Sequence, residues 1–245
     1  MQEANEKEMT FWDHLDELRK VFFRIAIAVI LLACIAFLNK ELLFDIVLAP
    51  QRSDFILYRF FNRLAADFSM PSLQVEDFHV ELINIQLTSQ FMIHMSTAFY
   101  AGLLLASPYM VKLLIPGFFL FITGILLNYF VIFPLSFRFL ATYQVSELVV
   151  NKISISSYIS SFTMLSLLLG AAFEIPIIAY FLSKLGLITA PMLKQYRKYA
   201  VVGILVVAAI ITPTSDVFTL LLVSIPLYFL YELSIQVVGR SRKKK

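Results

Sequence analysis

The sequence predicts an all-α membrane protein of six transmembrane helices, kinked, with a short fifth and sixth helix. Three observations carry that fold class. Hydrophobic residues make up 60% of the 245 and charged residues only 15%, against about 45–50% and about 25% in soluble domains. The mean hydropathy is +0.81, so the chain cannot cover itself with polar surface. Apolar residues also fall into six runs, most of them near the roughly 20 residues that cross a bilayer.

The first run, at about residues 21–38, follows an acidic start (Glu3, Glu6, Glu8). No small-residue cleavage pattern follows it, so it reads as an anchor and not as a cleaved signal. The remaining runs lie at about 91–114, 117–140, 158–182, 199–211 and 217–235. Residues 39–90 are the one large segment outside them, read as short helices along the outer surface followed by a strand-like stretch at 80–86. Pro134 and Pro226 fit kinked helices, and Gly102, Gly170 and Gly203 are expected at helix–helix contacts. The fifth run holds 13 residues, about 20 Å of helix against about 30 Å of hydrocarbon. The Thr212-Pro213-Thr214-Ser215-Asp216 connection is then expected below the outer surface. Either a tilted, partly buried hairpin or a locally thinned bilayer accommodates it.

Six spans put both termini on one side. That side carries 14 of the 20 Lys and Arg, including Lys7, Arg19, Lys20, Arg24 and the Arg240–Lys245 tail. The positive-inside rule makes both termini cytoplasmic. The expected organisation is one domain over 1–245. It has a cytoplasmic amphipathic segment at 1–20, an outer loop at 39–90 and a basic cytoplasmic tail at 236–245. The tail reads as a topology anchor near anionic lipid, and no nucleic-acid partner is expected. A lone Cys34, dispersed His14, His79 and His94, and no GxxxxGK[ST] stretch leave no metal site, nucleotide loop or nucleophile–base set. No cofactor and no enzymatic activity are expected.

Glu174 is the most informative residue. It lies deep in the fourth run, in Gly170-Ala171-Ala172-Phe173-Glu174-Ile175-Pro176. An ionised side chain at mid-membrane costs about 2.5–3.5 kcal/mol on insertion scales, and such acids face partners or water. Pro176 removes a backbone donor and frees the Ala172 carbonyl, so a kink is expected. A protonated Glu174 bonded to that carbonyl is the structural alternative to a functional acid. Ser215 and Asp216 are favoured N-cap residues for the sixth helix, which is compatible with a partner-facing role for Asp216. In Thr10–Lys20, Thr10 and Asp13 have capping-box spacing, while Phe11, Leu15, Leu18 and Phe22 form one apolar stripe. This is either an interfacial helix anchored by Trp12 or a carboxylate surface for a cationic peptide.

Together these residues resemble the TatC family, the C subunit of the twin-arginine translocase. His14-Leu15-Asp16-Glu17-Leu18-Arg19-Lys20 resembles its HLxELRxR motif, and Gly170–Pro176 its GxxFExP motif. Ile211–Asp216 resembles the TPPD turn, and Ile225-Pro226-Leu227-Tyr228-Phe229-Leu230-Tyr231-Glu232 the PLxxLYE ending. The resemblance implies a concave bundle in a bacterial cytoplasmic (inner) membrane. Its implied role is the core receptor of a twin-arginine export system, which recognises signal peptides of folded proteins. Its implied partners are TatA-like and TatB-like single-span proteins in an oligomeric complex driven by the proton-motive force. By the same resemblance, Glu17, Arg19, His14 and Leu15 bind the signal peptide. Glu174 and Pro176 form the intramembrane polar site, and Thr212, Pro213, Asp216 and Pro50 serve partner docking and the outer turn.

Three departures stand out. The second basic position of the first motif is Val21, the turn is Pro213-Thr214-Ser215-Asp216, and the position four after Asp216 is Leu220. The family's cytoplasmic loop between spans 2 and 3 carries a second carboxylate, whereas here no acid occurs between Glu81 and Glu147. A dozen or more loop residues are absent, so weakened twin-arginine recognition is expected. The rival readings are a proton-coupled secondary transporter using Glu174 and a membrane scaffold.

Overall fold

The computed structural model describes residues 11–68, 75, 78, 80–85, 88–110, 115–143, 152–212 and 216–242. Side chains are described throughout these ranges except at 11–18, 20–22, 107–110, 115, 116, 118, 241 and 242. The Thr10 cap, Pro213 and Ser215 lie outside the described residues.

Helix α1 (Phe11–Leu38) runs unbroken for 28 residues, because no Gly or Pro interrupts it. The amphipathic start and the first apolar run are therefore one helix. At its end the Asn39 Nδ2 donates to the Ile35 carbonyl at 2.8 Å, and the chain bends by 89° into the next helices. Helices α2 (Lys40–Leu48) and α3 (Ile56–Asp67) flank a 3-10 turn at Ala49–Gln51. They are the short helices expected in the segment after the first run. The strand-like stretch reduces to β1 (Leu82–Ile83).

Helix α4 (Ser89–Met110) packs along α1. Their backbones approach so closely that a Cβ on Gly102 would lie 2.6 Å from the Ala33 nitrogen. The third run forms α5 (Ile115–Leu127), a π turn at Asn128–Ile132 and α6 (Phe133–Thr142). Pro134 explains the irregularity: it offers no donor one turn back, and the widened π register absorbs the defect. Strand β2 (Ile153–Ser154) pairs in parallel with β1, Leu82 opposite Ile153 and Ile83 opposite Ser154.

The fourth run is α7 (Ile155–Ala172) and α8 (Ile175–Lys184), joined at Phe173–Glu174. The expected break before Pro176 is therefore present. A surface helix, α9 (Ala190–Gln195), is capped by the Thr189 hydroxyl, which accepts from the Met192 N–H at 3.3 Å. Helix α10 (Arg197–Ile211) has 15 residues, about 22 Å, and is as short as expected. Helix α11 (Val217–Arg242) has 26 residues and passes through Pro226. It runs beyond residue 235, where the apolar run ends, because no helix breaker follows until the polar tail. Shortness is thus a property of α10 and not of the whole sixth helix.

The runs 119–142, 155–184 and 217–240 are each long and apolar enough to cross a membrane. With α1, α4 and α10 they make six helical rods. The core lies among the third, fourth and sixth rods and includes Phe133, Tyr158, Phe162, Leu165, Leu169 and Val223. Exposed apolar residues such as Ile30, Leu31, Val202 and Ile210 cover the outside, as a lipid-facing surface requires.

Candidate functional site

Glu174 occupies the joint of the fourth rod and has helical backbone angles, φ −75° and ψ −11°. Its N–H donates to the Ala171 carbonyl at 3.1 Å, and its own carbonyl accepts from the Ile177 and Ile178 N–H groups at 3.0 Å each. The joint therefore keeps its backbone bonds despite Pro176, which is fully buried. The side chain is half-buried and turns to the first turn of α5. A Cβ on Gly117 would meet Glu174 Oε2 at 2.7 Å. Gly117 makes room for this carboxylate, and the N-terminal turn of a helix is a favourable place for an acid. Among the described residues the carboxylate has no hydrogen-bond partner, so the bond to the freed Ala172 carbonyl is not formed. Glu174 also lines none of the hollows described below.

The rod carrying Glu174 is fixed by close packing. Gly170 faces Phe121 and Ile125, where a Cβ would sit 3.0–3.2 Å from their side chains. Gly124 lies against Leu169 and Phe173. Gly203 differs from expectation: nothing lies within 4 Å of its Cβ position, because α10 turns that face away from the bundle.

One polar pair escaped sequence reasoning. Asn128 is fully buried in the π turn, and its Nδ2 donates to Ser166 Oγ at 2.8 Å. Ser166 in turn donates to the Phe162 carbonyl at 2.8 Å. The pair ties the third rod to the fourth about two turns from Glu174. A lone amide inside an apolar run was the available signal.

The other candidate residues lie apart from Glu174. His14, Leu15 and Glu17 are on the first turns of α1, with side chains outside the described set, and Arg19 is exposed. Pro50 is buried in the turn after α2, and its carbonyl accepts from the Tyr58 hydroxyl at 3.3 Å. Thr212 closes α10, donating to the Ala208 carbonyl at 3.0 Å. Asp216 caps α11: its Oδ1 accepts from the Thr219 N–H at 2.6 Å. The candidates thus form four separate places: the start of α1, the turn after α2 at Pro50, the mid-rod joint, and the α10–α11 connection at Thr212 and Asp216.

Two further bonds anchor α11, one to α10 and one to α9. Arg197 donates to Glu232 Oε2 at 2.7 Å, and the Tyr231 hydroxyl donates to the Leu193 carbonyl at 2.7 Å. Sequence reading placed Glu232 in a motif without seeing this partner, because a separation of 35 positions hides the contact. Between α4 and α7 a groove of about 410 Å³ is lined by hydroxyls of Ser96, Tyr100, Ser160 and Thr163 among apolar side chains.

Comparison with known proteins matches residues 13–226 to the family model for TatC, the Sec-independent protein translocase protein. A protein of the Blattabacterium strain from Periplaneta americana, described as Sec-independent protein translocase protein TatC, is 37% identical. That alignment covers 98% of this chain and 99% of the relative. It spans 265 positions, more than the 245 residues here, so the relative carries residues that this chain lacks. The Aquifex aeolicus protein of the same description is 32% identical over 97% of this chain and 98% of its own length. A crystal structure described as the twin arginine translocase receptor TatC superposes with a TM-score of 0.69 at 30% identity. It covers 94% of this chain and 99% of that one. The chain therefore belongs to the TatC family of Sec-independent protein translocase proteins and is an integral membrane protein.

Proposed function

We propose that this protein is the core receptor subunit of a twin-arginine export system in a bacterial cytoplasmic membrane, with both termini cytoplasmic. Its start of α1, with Glu17, Arg19, His14 and Leu15, receives signal peptides of folded proteins. Its membrane face around Glu174, together with the α10–α11 turn at Thr212, Pro213 and Asp216, receives TatA-like and TatB-like single-span helices. The chain works as one membrane domain within an oligomer, and the proton-motive force drives transport.

The observation that carries this reading is the Glu174 carboxylate. It sits half-buried within a 30-residue apolar run, beside Gly117 and without a hydrogen-bond partner among the described residues. An acid in that position meets water or a polar group from outside the subunit. The exposed face of α10 supplies a further apolar surface for an entering helix. With one carboxylate near Glu17 instead of two, discrimination of an arginine pair from a lysine pair is weak, since bidentate guanidinium contacts need acids to pair with.

Photocrosslinking from positions beside Glu17 and Glu174 tests the proposal in membranes containing a precursor and the single-span partners. Adducts to the precursor near Glu17 and to a partner helix near Glu174 are expected. Adducts at neither place, or normal export by Glu174→Ala with normal membrane insertion, overturn it. Peptide binding that falls sharply on replacing Arg-Arg by Lys-Lys overturns the weak-discrimination part.

A further inference from the structure

We propose that the hollow between α6, α7 and α11 is a water-binding site built into the outer end of the bundle. It measures about 200 Å³ and is lined by the hydroxyls of Ser136, Ser157, Ser161 and Thr219, with Phe133 and Leu165 among its apolar walls. Leu140 near the end of α6 and Ile153 of β2 place it at the end that carries α2 and α3.

Most helical hydroxyls in an apolar bundle escape the lack of water by bonding back along their own helix. Ser166, Thr212, Ser224 and Ser234 all do so here, donating to carbonyls four residues back at 2.7–3.0 Å. Ser136 and Thr219 do not. Ser136 is 3% exposed and Thr219 is 0% exposed, yet neither Ser136 Oγ nor Thr219 Oγ1 has a partner among the described residues. A third such atom is close by: Asp216 Oδ2 is buried and unpartnered, while Oδ1 of the same carboxylate holds the Thr219 N–H at 2.6 Å.

Leaving a buried hydroxyl unbonded costs about 1–3 kcal/mol, and lipid offers no donor or acceptor. Water does. The hollow has room for about six molecules at roughly 30 Å³ each, and its four hydroxyls supply the two to four polar partners a bound water needs. A lipid chain would fill the same space and leave every hydroxyl unpaired. The water reaches the first turn of α11 at Thr219, whose N–H the Asp216 cap holds. That the hollow faces the outer phase rests on the orientation proposed above; its hydration does not.

The full chain in membrane vesicles, with Cys34→Ser as background, tests this through Ser161→Cys and Ser157→Cys. The probe is a small, charged, membrane-impermeant methanethiosulfonate. A thiolate attacks its sulfenyl sulfur, forming a disulfide as methanesulfinate leaves, and thiolates form only where water reaches the sulfur. Leu126→Cys, on the exposed surface of α5, is the reference. Labelling at Ser161→Cys about 100-fold faster than at the reference is expected, and equal rates overturn the proposal. Labelling from the inner side only leaves hydration standing and overturns the orientation. Thr219→Val in the detergent-solubilised protein gives an independent reading should the cysteine variants fail to insert. A lowered Tm is expected because a bound water loses a partner, and a raised or unchanged Tm overturns the site.

Discussion

Two regions of the bundle are held in opposite ways. The cap of α2 and α3 is pinned by phenols. Tyr58 donates to the Pro134 carbonyl at 2.8 Å, Tyr129 to Ile46 at 2.9 Å and Tyr158 to Val47 at 3.0 Å. Asn62 adds a two-way bond to the Val75 backbone, accepting at 2.6 Å and donating at 3.2 Å. Helix α10, by contrast, buries Ala208 and Ile211 and leaves Val202, Val206 and Ile210 exposed. Phenol–carbonyl bonds thus run between the cap and the third and fourth rods, which fixes the cap against them. The hairpin is tied at its ends and open along its face. The difference separates a rigid lid on the bundle from a surface available to another helix.

The sharpest way to break this contrast is to truncate one buried anchor and one exposed side chain. Tyr58 is 0% exposed and packs edge-on against Phe78 and Phe55. Tyr58→Ala is expected to cost about 3–5 kcal/mol, read as a large drop in Tm of the solubilised protein. Ile210→Ala, at a position 66% exposed, is expected to stay within about 0.5 kcal/mol while lowering crosslinking to a single-span partner. Equal thermal effects would erase the distinction.

Tyr58→Phe isolates the hydroxyl. It keeps the ring and leaves the Pro134 carbonyl without its donor, at about 1–3 kcal/mol. Burial pushes the Tyr58 phenol above the usual tyrosine range. The sign follows from that direction: the stability held by the neutral phenol is fully present below about pH 10, where unfolded tyrosine ionises, and is lost as pH rises beyond it. Alkaline unfolding scans should therefore fall less steeply above pH 10 for Tyr58→Phe than for the parent.

How far the sequence reaches follows the same divide. The rods were legible because apolar run length and the proline positions are local signals: Pro134 and Pro176 mark the π turn and the Glu174 joint. The pairs were not. Tyr58 meets Pro134 across 76 residues and Tyr158 meets Val47 across 111, and no periodicity encodes a phenol reaching a carbonyl so far away. Gly117 read only as the start of the third apolar run, yet its use is to admit the Glu174 carboxylate. The end of α11 was misplaced because hydropathy stops at residue 235 whereas helix propensity does not. The candidate acid stood out by its depth in an apolar run; its surroundings needed three dimensions.

Glycines sharpen the comparison at smaller scale. At Gly102 a Cβ would lie 2.6 Å from backbone of α1, so Gly102→Ala forces α1 and α4 apart at about 1–3 kcal/mol. At Gly203 nothing lies within 4 Å. Gly203→Ala is then expected to stabilise α10 by up to about 1 kcal/mol, read as a small rise in Tm. A loss of export by that more stable variant would locate a partner helix against the open face, since no contact within the subunit is altered.

The smallest expected effect is at the far end of the same hairpin. Arg197 and Glu232 join at 2.7 Å, with side chains 47% and 26% exposed. Partial exposure screens the pair, so Arg197→Ala should cost only about 0.5–1 kcal/mol. Tyr228 also reaches Glu232, donating at 3.3 Å, and keeps the carboxylate partnered when the guanidinium is removed. If the pair sets the splay of α10 from α11 and not their stability, Arg197→Ala should leave Tm nearly unchanged. The distance between spin labels at residues 202 and 225, both exposed, should nevertheless widen. An unchanged distance would leave packing at Ala208 and Ile211 as sufficient to hold the hairpin.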